Sequence, residues 1–329
     1  MRIKSKIKAV ASLLKAKLFN KRIPLAVRWQ LTNRCVLRCV YCNIWNTPKK
    51  EISLNEILCI LDQLAELGTQ TISFSGGEPM LRKDIGEILE QTKKRNISTE
   101  MNSTGAFIAQ SIEKLKYLDF LKLSLDGPEE ISQLVRQKGS YQLAIEAAEA
   151  ARGNNLNFIF TTTLTKYNIK HIDFIMKIAE KYNTLIAFQP LKNLYRGVED
   201  ISKFLPTPDD YRQAISKLIN LKKKNNPYLR NSLAGLLHIY NWPNYKKLAC
   251  WAGKIFCVID TDGTLYPCDR VSYNNNKLLP NCLGSSFEQS FLNLPNVYCS
   301  GCGFCGVLEL NFLMALRIGT IKSILNVIR

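Results

Sequence analysis

Histidine is nearly absent from this sequence: its 329 residues contain two, His171 and His238. That scarcity argues against histidine-rich metal sites and against Ser-His-Asp chemistry. Long apolar runs are also lacking, since none reaches the roughly 18–20 residues that a membrane span requires. The N-terminus has no signal-peptide core, because its longest apolar stretch, residues 9–14, is broken by Lys15 and Lys17. Acidic residues are missing from the first 50 positions, which carry 13 Lys or Arg. The net charge is +18, so only five positive charges remain for the other 279 residues. The charge belongs to the first segment and not to the fold. No internal repeat and no low-complexity tract is present.

Cysteine, by contrast, is abundant. Of 11 cysteines, three lie at 35–42, seven lie between 250 and 305, and Cys59 stands alone in an apolar helical pattern. A long chain without an export signal is expected in a reducing, cytoplasmic compartment. There, clustered thiols more often hold metal than form disulfides.

From Pro24 onward, strand and helix patterns alternate. Residues 24–31 read as a strand leading into the first cysteine loop. Ser53-Leu54-Asn55-Glu56 is a capping box opening a helix that stops near Gly68. Strands are expected at 71–75, 97–102, 120–126, 156–163 and 185–189, with helices at about 82–94, 109–117, 140–152 and 169–182 between them. Ser140 is expected to cap its helix. Six strands separated by helices imply parallel pairing with right-handed crossovers. The fold class is therefore α/β, an open or closed β/α barrel. After Pro190 the alternation stops. Thr207-Pro208 begins another helix. Asp262-Gly263 marks a hairpin between Val258-Ile259 and Leu265-Tyr266. Residues 308–329 read as an apolar helix.

Cys35-x3-Cys39-x2-Cys42 follows the first strand. Three thiolates can hold three corners of a [4Fe–4S] cube and leave one iron open to a chelating ligand. A closed zinc site would want four ligands, so on spacing alone a zinc knuckle with a distant fourth ligand stays open. Gly76-Gly77-Glu78-Pro79 follows the second strand on the same rim, where glycines permit close backbone approach. With these two motifs the chain resembles the radical S-adenosylmethionine (SAM) superfamily over residues 24 to about 190. The resemblance implies a partial (β/α)6 barrel. It implies that Cys35, Cys39 and Cys42 bind the catalytic cluster and that Gly76, Gly77, Glu78 and Pro79 receive the SAM methionine group. Looser matches place Tyr41 beside the adenine, Asn102 and Ser103 at the ribose, and Ser124 and Asp126 on the adjoining rim. Arg136 matches the arginine that meets the methionine carboxylate. The implied reaction is reductive SAM cleavage to methionine and a 5′-deoxyadenosyl radical, which takes hydrogen from a substrate. A flavodoxin or ferredoxin would be the reductant.

Cys250-x12-Gly263-x4-Cys268, followed by Cys282 and Cys299-x2-Cys302-x2-Cys305, is similar to the SPASM and twitch extensions of that superfamily. The downstream spacing is compressed relative to a full SPASM domain. At least one auxiliary [4Fe–4S] cluster is implied, with Cys250, Cys268, Cys299 and Cys302 as preferred ligands. Cys257, Cys282 and Cys305 remain extra ligands, a catalytic donor or packing residues. A zinc ribbon is the bland alternative.

The expected organisation is a basic amphipathic segment (1–23), the barrel core (24–206), a helical connector (207–249), the auxiliary-cluster region (250–306) and a C-terminal helix (307–329). Many SPASM enzymes mature peptides, so a peptide-modifying oxidoreductase leads. The basic first segment also suits an anionic membrane surface and a lipid or isoprenoid substrate. A non-catalytic iron–sulfur electron carrier is the contrasting class, disfavoured by the intact GGEP loop. Nucleic acid is disfavoured because the basic residues lack interleaved aromatics.

Overall fold

The structure, a computed structural model, describes residue 13 and residues 16–191, 198, 200–269, 279–297, 299 and 301–315. The basic segment before residue 13 and the tail after residue 315 lie outside the described residues. Among the described residues, no helix is long and apolar enough to cross a membrane.

Eight strands form one sheet: β1 (Ala26–Thr32), β2 (Thr71–Gly76), β3 (Ser98–Ser103), β4 (Phe120–Ser124), β5 (Phe158–Leu164), β6 (Leu185–Pro190), β7 (Phe256–Ile259) and β8 (Leu265–Tyr266). Their spatial order is β6-β5-β4-β3-β2-β1-β7-β8. The first six pair in parallel with their sequence neighbours. Helices Leu54–Glu66, Ile85–Lys94, Ser140–Gly153 and Ile172–Lys181 lie in the crossovers. The sheet is an open partial barrel, as the alternation of patterns predicts.

Alternation along each strand separates the two faces. Trp29, Phe74, Met101, Leu121, Phe160 and Phe188 are fully buried and belong to the core packed under the helices. Residues of the alternate register line an internal cavity, which Arg28, Ser73, Glu100, Lys122 and Thr161 make polar beside the apolar Ala26, Ile159 and Ala187. A strand with one apolar and one polar face can pack helices outside and hold a polar ligand inside.

Local signals account for most boundaries. Ser53 and Glu56 make the reciprocal capping box, and Thr207 accepts a hydrogen bond from the Asp210 N–H with Pro208 in the first turn. The helix Ile85–Lys94 starts only at Ile85 because residues 79–81 first form a 3-10 turn. Residues 109–115 are 3-10 and not α-helical. A short helix, Glu129–Val135, stands between β4 and the helix Ser140–Gly153, where the sequence pattern predicts no element. Ser140 does not cap its helix: Gly139, at φ +82°, makes the turn, and the Ser140 hydroxyl donates to the Ser132 carbonyl at 3.2 Å.

The expected hairpin forms, with Val258 opposite Tyr266 and Ile259 opposite Leu265. It does not stand apart from the barrel. β7 pairs in parallel with β1, from Ala26–Phe256 to Trp29–Ile259. Without β7, β1 would present a row of unpaired backbone groups. Lys49 ties the same hairpin to the first crossover through Asp260 and Asp262, at 2.9 and 2.5 Å. The last described helix, Cys305–Met314, lies along the open side of the barrel and is held by Glu309, which accepts from the Ser232 hydroxyl at 2.7 Å.

Candidate active site

The cavity inside the barrel has a volume of about 580 Å³. At its mouth stand Cys35, Cys39 and Cys42 from the loop after β1, and Gly76 and Gly77 from the end of β2. Tyr41, Asn102, Ser103, Ser124 and Arg136 share that wall. Phe304, Cys305, Gly306, Glu309 and Leu310 close the opposite side.

The glycine turn is packed backbone to backbone. A Cβ on Gly76 would lie 2.2 Å from the Thr32 carbonyl oxygen, and one on Gly77 would lie 2.0 Å from the Arg34 carbonyl oxygen. Gly77 N–H donates to the Thr32 carbonyl at 2.7 Å, and Glu78 N–H donates to the Arg34 carbonyl at 2.8 Å. The turn therefore seats the cysteine loop directly. Glu78 and Pro79 lie behind this turn and not on the cavity wall. The Glu78 carboxylate is fully buried and accepts from Ser103 Oγ (2.9 Å), Thr104 N–H (2.8 Å), Thr104 Oγ1 (2.6 Å) and Met80 N–H (3.2 Å). It fastens the β2 turn to the end of β3. Burial raises its pKa and these bonds oppose the rise.

The loop's other fastening is ionic. Asp126, fully buried, accepts from Arg136 Nε at 2.6 Å, from the Thr163 N–H at 3.1 Å and from the Tyr41 hydroxyl at 3.4 Å. Arg136 Nη1 lies 3.7 Å from Cys39 Sγ. One guanidinium thus joins a rim carboxylate to a loop thiol. Removing either partner of a buried pair leaves an uncompensated charge. Asp126→Ala should therefore destabilise the fold by about 3 kcal/mol, read as a lower urea midpoint at constant m-value. An unshifted midpoint would show that Arg136 finds another partner.

Cys35 and Cys39 are desolvated. Burial raises the Cys35 pKa, and it pushes Cys39 up to about 12 although Arg136 draws it down. Such thiols stay protonated at neutral pH until a metal displaces the proton. Among the described residues, no three His, Cys, Asp or Glu side chains converge as one metal ion would demand. A cubane asks for something different, since each thiolate holds a separate corner.

The second cysteine group is divided. Cys250 and Cys268 share a small apolar cluster with Phe256, Val258 and Phe304. Cys299 and Cys302 lie in the loop after it, where the Cys302 carbonyl is 2.9 Å from His238 Nε2 and Gly301 and Gly303 pack on Tyr245. Cys257 and Cys282 are buried in the main core beside each other. Cys305 faces the barrel cavity, and its Sγ lies 3.4 Å from the Phe188 carbonyl oxygen. The exposed Cys59 stands apart on its helix.

Comparison with known proteins identifies the barrel. Residues 29–179 match the model of the radical SAM superfamily. That segment, from β1 to the helix after β5, is a radical SAM domain. Among curated relatives, it is 26% identical over 258 residues to the mycofactocin maturase MftC of Mycolicibacterium smegmatis, covering 74% of this chain and 64% of the relative. It is 28% identical over 214 residues to the Fe-coproporphyrin III synthase of Methanosarcina barkeri, covering 63% and 53%. Its fold is similar to that of Streptococcus suis SuiB, solved with the precursor peptide SuiA, with a TM-score of 0.68 and 18% identity. That match covers 89% of this chain and 69% of SuiB. The hairpin that carries part of the second cysteine group is itself part of the barrel sheet.

Sequence reasoning missed several wall residues. Thr104 anchors Glu78, Thr163 anchors Asp126, and Lys122, Glu100, Arg230 and Glu309 make the cavity floor polar. Period-two alternation could have found Glu100 and Lys122. Nothing in the sequence marks Arg230 or Glu309.

Proposed function

We propose that this chain cleaves SAM reductively and uses the resulting 5′-deoxyadenosyl radical to take hydrogen from a carbon of a peptide substrate. The observation that carries this reading is the placement of three thiols and a backbone-exposing glycine turn at the mouth of one walled cavity. Cys35, Cys39 and Cys42 would hold a [4Fe–4S] cluster, and their soft sulfur donors suit iron. When bound, that cluster supplies the electron that breaks the SAM sulfonium bond. Gly76 and Gly77 let SAM approach the backbone. Tyr41, Asn102, Ser103 and Ser124 offer it an aromatic face and hydroxyl and amide groups. Arg136, held by Asp126, keeps a positive charge beside the thiols and the site of the methionine carboxylate. The barrel walls exclude water from a reactive radical.

A peptide substrate is supported by the names of the relatives, a maturase and a structure with a precursor peptide. A tetrapyrrole is the second reading, favoured by the Fe-coproporphyrin III synthase relative. An auxiliary [4Fe–4S] cluster would be held by Cys250, Cys268, Cys299 and Cys302. The electron would come from a flavodoxin- or ferredoxin-type donor. Anaerobically reconstituted protein given dithionite and SAM should release 5′-deoxyadenosine and methionine in equal amounts. Iron-loaded protein that forms neither would overturn the proposal.

A further inference from the structure

Deep in the barrel cavity a buried guanidinium nitrogen has no hydrogen-bond partner. Arg230 comes from the segment before helix Leu233–Ile239, and its backbone N–H donates to the Ile186 carbonyl of β6 at 2.9 Å. Its guanidinium lines the cavity, with its carbon 5.2 Å from the centre of the Phe120 ring. The Nη1 atom is buried and has no hydrogen-bond partner. A guanidinium has five N–H donors and cannot lose its charge, so a buried one without an acceptor is costly.

The surroundings do not repair this. Glu100, the nearest strand carboxylate, is already paired with Lys122. Glu309 gives Oε1 to the Ser232 hydroxyl and backbone N–H; its Oε2 is buried without a hydrogen-bond partner and so does not bond Arg230, and burial raises its pKa. Arg28 is paired with Asp269 at 2.8 Å. Burial lowers the Arg230 pKa more than Glu100 and Glu309 raise it, so these neighbours do not offset its desolvation. A cation held in a ligand cavity with donors unspent calls for an anion from outside the chain.

Resting on the reading of this cavity as the reaction chamber, we infer that Arg230 is the recognition group for a carboxylate of the substrate. A carboxylate matches the planar fork of a guanidinium. Position sets the scale. Phe120 begins β4 and Ser124 ends it at the rim, and four residues of strand span about 13 Å. An extended peptide covers that distance in about four residues. A peptide ending in a free carboxylate at Arg230 would thus present a carbon three or four residues upstream to the mouth where SAM binds. A tetrapyrrole bearing carboxylate arms would use the same contact.

Two matched pairs of probes test this by equilibrium binding to the anaerobically reconstituted full chain, without turnover. One pair is a pool of N-terminally labelled tetrapeptides with free or amidated C-termini. The other is coproporphyrin III and its tetramethyl ester. The free acid of one pair should bind at least about tenfold tighter than its neutral form. Which pair shows the preference identifies the source of the carboxylate. Arg230→Gln should erase the preference, and Arg230→Lys should keep part of it. Equal binding of acid and neutral forms in both pairs, or a preference that survives in Arg230→Gln, overturns the assignment. If 5′-deoxyadenosine forms but no acid preference exists, only this inference falls. If the preference exists without SAM cleavage, the reaction falls and the carboxylate site stands.

Discussion

The variant Cys35→Ala, Cys39→Ala, Cys42→Ala is expected to form no 5′-deoxyadenosine under conditions where the wild type does. The effect should be complete and not graded, because three corner ligands act together and no nearby side chain replaces them. The variant should fold. The three cysteines are half-buried loop residues at a cavity mouth, and Gly77 and Glu78 bind the loop through its backbone. It should still carry iron and sulfide, held by Cys250, Cys268, Cys299 and Cys302. Cys59→Ala, an exposed helix position, should leave iron content unchanged. Iron, sulfide and 5′-deoxyadenosine are measured on the same preparation. Undiminished cleavage in the triple variant would sink the assignment of the first cluster. Loss of all iron would show that the second group does not hold one.

Gly77→Ala is expected to abolish SAM cleavage with all eleven cysteines intact. The added methyl would lie 2.0 Å from the Arg34 carbonyl oxygen and 2.9 Å from that of Asn33. Both contacts are with backbone, which cannot swing aside as a side chain can. The turn must move, and the residues bonded across it, Thr32 and Arg34, lead straight into Cys35. Overpacking of this kind typically costs about 1–3 kcal/mol, so the protein should fold while the cysteine loop loses its seat. The check is SAM binding by equilibrium dialysis on iron-loaded protein, where affinity should fall by at least about tenfold. Gly139→Ala is the comparison: an added Cβ there meets nothing within 4 Å, although φ +82° strains it. Normal SAM affinity in Gly77→Ala would mean the turn is not part of the SAM site.

Much of this architecture is written locally. The capping box at Ser53, the Thr207-Pro208 helix start and the Asp262-Gly263 hairpin depend on neighbours within a few residues. So does the placement of Cys35 and Gly76 on one rim, since both end parallel strands. What sequence could not deliver is pairing across long separations. Arg136 reads only as a ligand contact until the fold puts Asp126 and Cys39 beside it. Glu78, in the middle of a recognised motif, turns out to face Thr104 and not the cavity. The parallel pairing of β7 with β1 joins positions over 200 residues apart, with no signal in either segment. Arg230 lies in an unremarkable stretch and gains meaning only from the cavity it enters.

That β1–β7 pairing bears on synthesis. The strand that opens the barrel waits for a neighbour that is made more than 200 residues later. At about 5–20 residues per second, roughly 10–50 s separate the emergence of β1 from that of β7. Through that interval the edge of β1 is open to pairing with another nascent chain. Contacts of such high sequence separation also slow the last step of folding. A ribosome-bound chain truncated before residue 256 is therefore the species in which aggregation should concentrate. A chaperone that covers strand edges should raise the yield of the whole protein more than one that covers apolar surface.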